Sequence, residues 1–284
     1  MLLALILALT GTIISTPAPQ GAAPSATSRP ADGSAEQFLE SSRIRLYDIE
    51  RAGLESMAFS LPVTTPHPTT GESMRLGDVA VRWAAGSEPQ ISASVANDLP
   101  EAMASMTEML EAQLIGQGQQ VLGYVRNDLF LGLLEGYDAT LGGTEDGLVH
   151  VHFEPKQRDQ TGQPPIDGYF RDHVPVRLKI SIEAMNVEMS FDHTWRPVSE
   201  TDSTLVLQEL TVTQDLGFAK MEARTTFDYS WSGGLLVLSG YVEEITPPDA
   251  PMASNDVRLE SVQVNGSPLG AASGSGSGAD SADG

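Results

Sequence analysis

The chain contains no cysteine, which excludes disulfides, thiolate metal sites, a cysteine nucleophile and a lipidated N-terminal cysteine. Positive charge is scarce: 16 Lys plus Arg stand against 38 Asp plus Glu, a net charge of −22. The only lysines are Lys156, Lys179 and Lys220. Such a surface repels phosphate backbones and anionic bilayers, so nucleic acid is not expected as a partner. Catalytic signatures are missing as well. There is no G-x-S-x-G elbow, no G-x-x-x-x-G-K-[ST] loop and no G-x-G-x-x-G following a strand. The chain therefore reads as no enzyme, with no cofactor. Nor does any apolar run approach the ~20 residues that a membrane-spanning helix needs.

What is present begins with an address. Leu2 to Leu9 are wholly apolar, and Ile13 and Ile14 extend the run. That length suits the core of a secretory signal peptide, here residues 1–16, and predicts export to a periplasmic or extracellular space with no stable membrane span after cleavage. Residues 17–34 are rich in Pro, Ala, Ser and Gly and read as a disordered linker. Residues 266–284 read as a disordered Gly/Ser tail for the same reason. Between them, 35–265 form one domain.

Hydrophobic periodicity gives that domain its elements. Ser34 caps a helix expected from Ala35 to about Gly53. Strands follow at Leu54 to Leu61 (closed by Pro62), Asp78 to Ala84 and Gln90 to Val95, with T-T-P-H-P-T-T-G-E as a loop. Asn97 or Asp98, with Pro100, opens a helix carrying Met103, Met106, Leu110 and Leu114 at spacings of three and four. Gly116 and Gly118 are expected to end it, and a second helix carries Val121, Leu122, Val125, Leu129, Phe130, Leu133 and Leu134. From Tyr137 to Trp231 a long meander alternates strictly. In V-P-V-R-L-K-I-S-I, Val174, Val176, Leu178, Ile180 and Ile182 point one way while Arg177, Lys179 and Ser181 point the other. Thr204 to Thr213, Ala219 to Trp231, Leu235 to Ile245 and an edge strand at Val257 to Val264 complete about eleven strands. The fold class is α+β: a curved antiparallel half-barrel with an N-terminal helix and an inserted helical pair as lid.

This order resembles the lipoprotein-carrier fold, the LolA-like family with its relatives LppX and the RseB sensor domain. The residues that carry the resemblance are the stripe Met103, Met106, Leu110, Leu114 and the segments Y-D-A-T-L-G-G, L-V-H-V-H-F-E-P and V-P-V-R-L-K-I-S-I. It implies an exported, unclosed half-barrel capped by helices, with acyl chains of lipid or lipoprotein in its concavity. The family's functional arginine is carried over to no residue here.

A sheet that is apolar on one side must be covered or must hold something. The candidate apolar cavity consists of Met103, Met106, Leu110, Leu114, Leu178, Ile180, Met189, Phe191, Met221 and Phe227. Such a stripe lines a lipid cavity or packs as ordinary core. The second outcome corresponds to an interaction or envelope-sensor domain with a filled core and an envelope protein as partner. His150 and His152 form H-x-H on one strand face, a spacing at which two imidazoles can meet one metal. His173 or His193 could then serve as third ligand, with Glu154 or Asp192 as carboxylate. The simpler reading places both histidines on the polar face, with no metal. Asn265-Gly266-Ser267 fits a glycosylation sequon by chance.

Overall fold

The computed structural model describes residues 34–66, 73–100, 103, 105–126, 137–156, 164–182, 186–217, 219–248 and 252–269. The leader at 1–16, all but Ser34 of the linker, residues 270–284 of the tail, and Leu129, Phe130, Leu133 and Leu134 lie outside the described residues.

Helix α1 (Ala35–Arg45) starts at Ser34, whose hydroxyl accepts from Gln37 N at 3.2 Å. It stops well before Gly53. Leu46 turns extended and bridges to Leu205, and Asp48 Oδ1 accepts from Glu50 N and Arg51 N, both at 3.0 Å, capping a separate turn. A carboxylate that offers the backbone a local alternative ends a helical pattern in this way.

The described strands number fourteen, not eleven, and they form two antiparallel sheets. The small sheet has the order β14-β13-β1-β2-β3, from β1 (Ser56–Pro66), β2 (Ser73–Ala84), β3 (Gln90–Val95), β13 (Glu260–Val264) and β14 (Ser267–Pro268). The large sheet is an unbroken meander of nine: β4 (Tyr137–Glu145), β5 (Leu148–Pro155), β6 (Ile166–Arg171), β7 (Val174–Ile182), β8 (Val187–Pro197), β9 (Leu205–Asp215), β10 (Lys220–Ser232), β11 (Leu235–Thr246) and β12 (Ala253–Arg258). Neither sheet closes on itself, and with the helices they form an α+β half-barrel. The expected edge strand Val257 to Val264 is split at Leu259. Its first part pairs with β11, and its second crosses to the other sheet and pairs with β1. β1 runs through Pro62, which pairs with Asp78, because β13 stops pairing at Ser60 and the proline meets no ladder on that side.

Two-residue turns with both residues at positive φ join four hairpins, at Asp146-Gly147, Asp172-His173, Gly233-Gly234 and Asn265-Gly266. This turn matches the right-handed twist of the strands it connects, so it fixes register. Asn265 does more than turn the chain. Its Oδ1 accepts from Glu55 N (2.8 Å) and Ser56 N (3.0 Å), and its Nδ2 donates to Gly53 O (2.9 Å).

The expected helical pair is, among the described residues, one helix: α2 (Thr107–Arg126) passes straight through Gly116 and Gly118. Gly118 is a point of close approach, not a break. A Cβ there would lie 2.7 Å from Val79 Cγ1 and 2.9 Å from Ile91 Cγ2. α2 thus lies directly on β2 and β3 and reaches β11 on the other side. Its Leu114, Val121, Leu122, Tyr124 and Val125 join one core with Phe59, Leu61, Val79 and Val81 of the small sheet and Phe227, Val237 and Tyr241 of the large one. α1 covers the other end of the large sheet, where Leu39 and Leu46 pack with Val151, Phe153, Ile166, Phe170 and Leu178.

Candidate ligand-binding face

Side chains alternate across a strand, so the register decides which of them share a face. One row of direct cross-strand partners spans all nine strands of the large sheet: Leu141, Val151, Gly168, Leu178, Phe191, Val212, Ala223, Ile245 and Ala253. It contains no polar side chain. Gly168 is where two phenyl rings crowd in, since a Cβ there would be 2.8 Å from both Phe153 and Phe170. A second row on the same face reads Ala139, Phe153, Ile166, Ile180, Met189, Gln214 and Met221. Only Gln214 breaks it. Towards β10–β12 the face turns polar along a third row, where His193 pairs with Leu210, Leu210 with Thr225, Thr225 with Glu243 and Glu243 with Asn255.

The ten residues singled out in the sequence fall in three places. Leu178, Ile180, Met189, Phe191, Met221 and Phe227 share the apolar face, with Phe191 touching both cores. Leu110 and Leu114 are buried on α2, and Met103 is partly buried against the large core. Met106 faces solvent at 44% exposure, beside Met109 at 52%. The buried stripe of α2 continues instead through Gln117, Val121 and Tyr124.

Five side chains at the Met189 end are distinctive. Val187, Met189, Met221, Ala223 and Ile245 are buried, yet they pack in none of the three apolar clusters formed among the described residues. Gln214 sits among them, 4% exposed, and its Nε2 has no hydrogen-bond partner. Buried His193 likewise leaves Nδ1 unpartnered while stacking on Trp195 with ring centroids 5.9 Å apart. Burial drives the His193 pKa down to about 4, against the opposing pull of Asp192 and a hydrogen bond to the Phe191 backbone. Its imidazole is therefore neutral at pH 7. Burial also raises the Glu243 carboxyl above its ordinary range. Beside it, the Tyr241 hydroxyl is raised by burial and hydrogen-bonded by Gln117 of α2. The far end of the face, on β10 and β11, is closed by Tyr124, Phe227 and Tyr241, with Tyr124 edge-on to Phe227 at 5.0 Å and to Tyr241 at 5.7 Å.

Gln214 is not among the sequence candidates, and His193 is one only as a third metal ligand, not as part of the apolar face. The signal for Gln214 was there: in L-T-V-T-Q it occupies the inward position after Leu210 and Val212. The expected strand, Thr204 to Thr213, stops one residue short of it.

The opposite face is polar. His150 Nε2 and His152 Nδ1 meet the same Asp167 Oδ1, at 2.8 and 2.9 Å, and His152 Nε2 meets Glu154 Oε1 at 2.9 Å. The His152 pKa is pulled down by burial but, on balance, raised by Asp167 and Glu154. Asp167 is lowered, first by its hydrogen bond with His150. The other residues considered for a metal site lie elsewhere. His193 is on the apolar face, His173 is in a turn against Phe38 with ring centroids 4.6 Å apart, and Asp192 pairs with Arg177 at 2.5 Å. Among the described residues no group of three or more His, Cys, Asp or Glu could hold a metal ion. No described helix is long and apolar enough to cross a membrane.

No family model matches the chain, and no curated protein matches it in sequence. Among solved structures it is similar to that described as the crystal structure of MucB in complex with MucA(peri). The identity is 11%, over 81% of this chain and 98% of that one, with a TM-score of 0.20. A likeness of that size carries no argument about function, which rests on the residues themselves.

Proposed function

We propose that the chain is an exported, non-catalytic binding protein that holds acyl chains of a lipid or lipoprotein against the apolar face of its large sheet. The observation that supports this reading is the unbroken apolar row from Leu141 to Ala253, with the Met189–Met221 row beside it. Burial would drive binding. At about 0.8 kcal/mol per methylene, eight methylenes supply roughly 6 kcal/mol before the costs of association. Methionine on both sides of Gln214 suits a ligand of irregular outline, because its unbranched thioether adapts. The apolar leader at 1–16 supplies the address, and α2 is the element whose movement would admit the ligand. Titration with a fluorescent acyl glycerol, together with native mass spectrometry of the purified protein, tests the reading. Saturable binding and a co-purifying lipid mass are expected, and the absence of both overturns it.

A second reading, an interaction or envelope-sensor domain with a filled core, is favoured by α2 itself. Its Leu114, Val121, Tyr124 and Val125 already pack against Phe227 and Tyr241, so the β10–β12 end of the hollow is occupied by protein. A crystal structure with no space for an acyl chain at the Met189 end as well would decide for it.

A further inference from the structure

We propose that Gln214 is the polar anchor of this site, and that it selects acyl chains bearing a neutral carbonyl, as an ester or amide, over plain hydrocarbon and over ionised fatty acid. The inference rests on the acyl-binding reading above and adds the chemistry of the head. Gln214 is the only polar member of a seven-residue cross-strand row, and its immediate partners on both sides are Met189 and Met221. Methionine has nearly the shape of glutamine, so packing alone gives no reason for an amide there. The amide is costly where it stands. It is 4% exposed and its Nε2 has no acceptor, whereas buried donors are almost always paired.

A free N–H donor recognises an acceptor oxygen. A hydrocarbon offers none, while an ester or amide carbonyl offers two lone pairs. A carboxylate would also accept, but neither apolar row contains a Lys or Arg to offset its desolvation, and the protein as a whole carries −22. The row therefore favours the neutral carbonyl. The apolar chain extends along Met189, Ile180 and Ile166 on one side of the amide, with Met221 on the other.

The test is competition against the bound fluorescent acyl glycerol by three competitors of equal chain length: the alkane, the methyl ester and the free acid at pH 8. The full chain should bind the ester about tenfold more tightly than the alkane, the factor that one hydrogen bond of ordinary strength confers, and more tightly than the acid, whose carboxylate loses its hydration without a cation to replace it. Gln214→Met should bring ester and alkane within about twofold of each other, chiefly by weakening the ester. Equal binding of all three by the full chain, or an ester preference that survives Gln214→Met, overturns the anchor and leaves the acyl site standing. Failure of the acyl glycerol itself to bind overturns both. As a check that needs no folded variant, the side-chain amide resonances of Gln214 in the 15N-labelled protein should shift on adding the ester. An ester complex with Nε2 bonded to water or to the protein's own carbonyl also overturns the anchor.

Discussion

Gly116 and Gly118 lie two residues apart in α2, and the same substitution should act on them with opposite sign. Neither position has a positive φ, and alanine gains about 0.5–1 kcal/mol over glycine in a helix interior through chain entropy. At Gly116 nothing lies within 4 Å of an added Cβ, so Gly116→Ala should collect that gain in full. At Gly118 the methyl would stand 2.7 Å from Val79 Cγ1 and 2.9 Å from Ile91 Cγ2, and Val79 is fully buried. Overpacking of this kind costs about 1–3 kcal/mol. Net of the helical gain, Gly118→Ala should lose roughly 0–2.5 kcal/mol, so the two variants should differ by about 1–3 kcal/mol. Urea unfolding followed by far-UV circular dichroism measures both, and the midpoints should move in opposite directions at an unchanged slope. If both alanines stabilise equally, α2 does not lie on β2 and β3.

Asn265→Ala should destabilise the protein by about 2 kcal/mol, since it removes three hydrogen bonds worth about 0.5–1.5 kcal/mol each near solvent. Asn265→Asp, which keeps the two accepted bonds, should lose less, and a loss below about 0.5 kcal/mol for alanine in urea unfolding would refute the role. Two histidines should act oppositely with pH. His152 has a raised folded pKa, so its contribution is complete below the unfolded value of about 6.5 and is lost as pH rises through the folded one. His152→Ala should therefore flatten the fall of stability on the alkaline side of pH 6.5. His193 has a folded pKa lowered to about 4, so its contribution is present above about pH 6.5 and is lost as pH falls towards 4. His193→Phe should weaken the acid-side loss, and thermal melts at half-unit steps from pH 4 to 9 check both.

The strands that could be read from the sequence are those with one dry face. β7 and β8 alternate through Leu178, Ile180, Met189 and Phe191 because one side meets α1 and the cores while the other meets water. The six candidates on this face were found for the same reason. What could not be read depended on contacts distant in sequence. Gly116 and Gly118 look like a helix end until Val79 and Ile91 are placed against one of them. Pro62 looks like a strand end until β13 is seen to stop at Ser60. Leu259 sits inside an apparently continuous strand, and only the pairing of its two flanks with β11 and β1 shows the crossing. Met106 keeps helical spacing with Leu110 yet points outward, because the helix meets the sheet only from Leu110 onward.

The crossing at Leu259 also orders events in time. β1 emerges early in synthesis, but the strand that flanks it in the small sheet, β13, comes some two hundred residues later, and Asn265 clasps Glu55 across a gap of 210 positions. Until that late segment arrives, β1 has an open flank ready to pair with whatever chain is nearest. A nascent or clipped copy ending before Glu260 would thus expose a sticky edge.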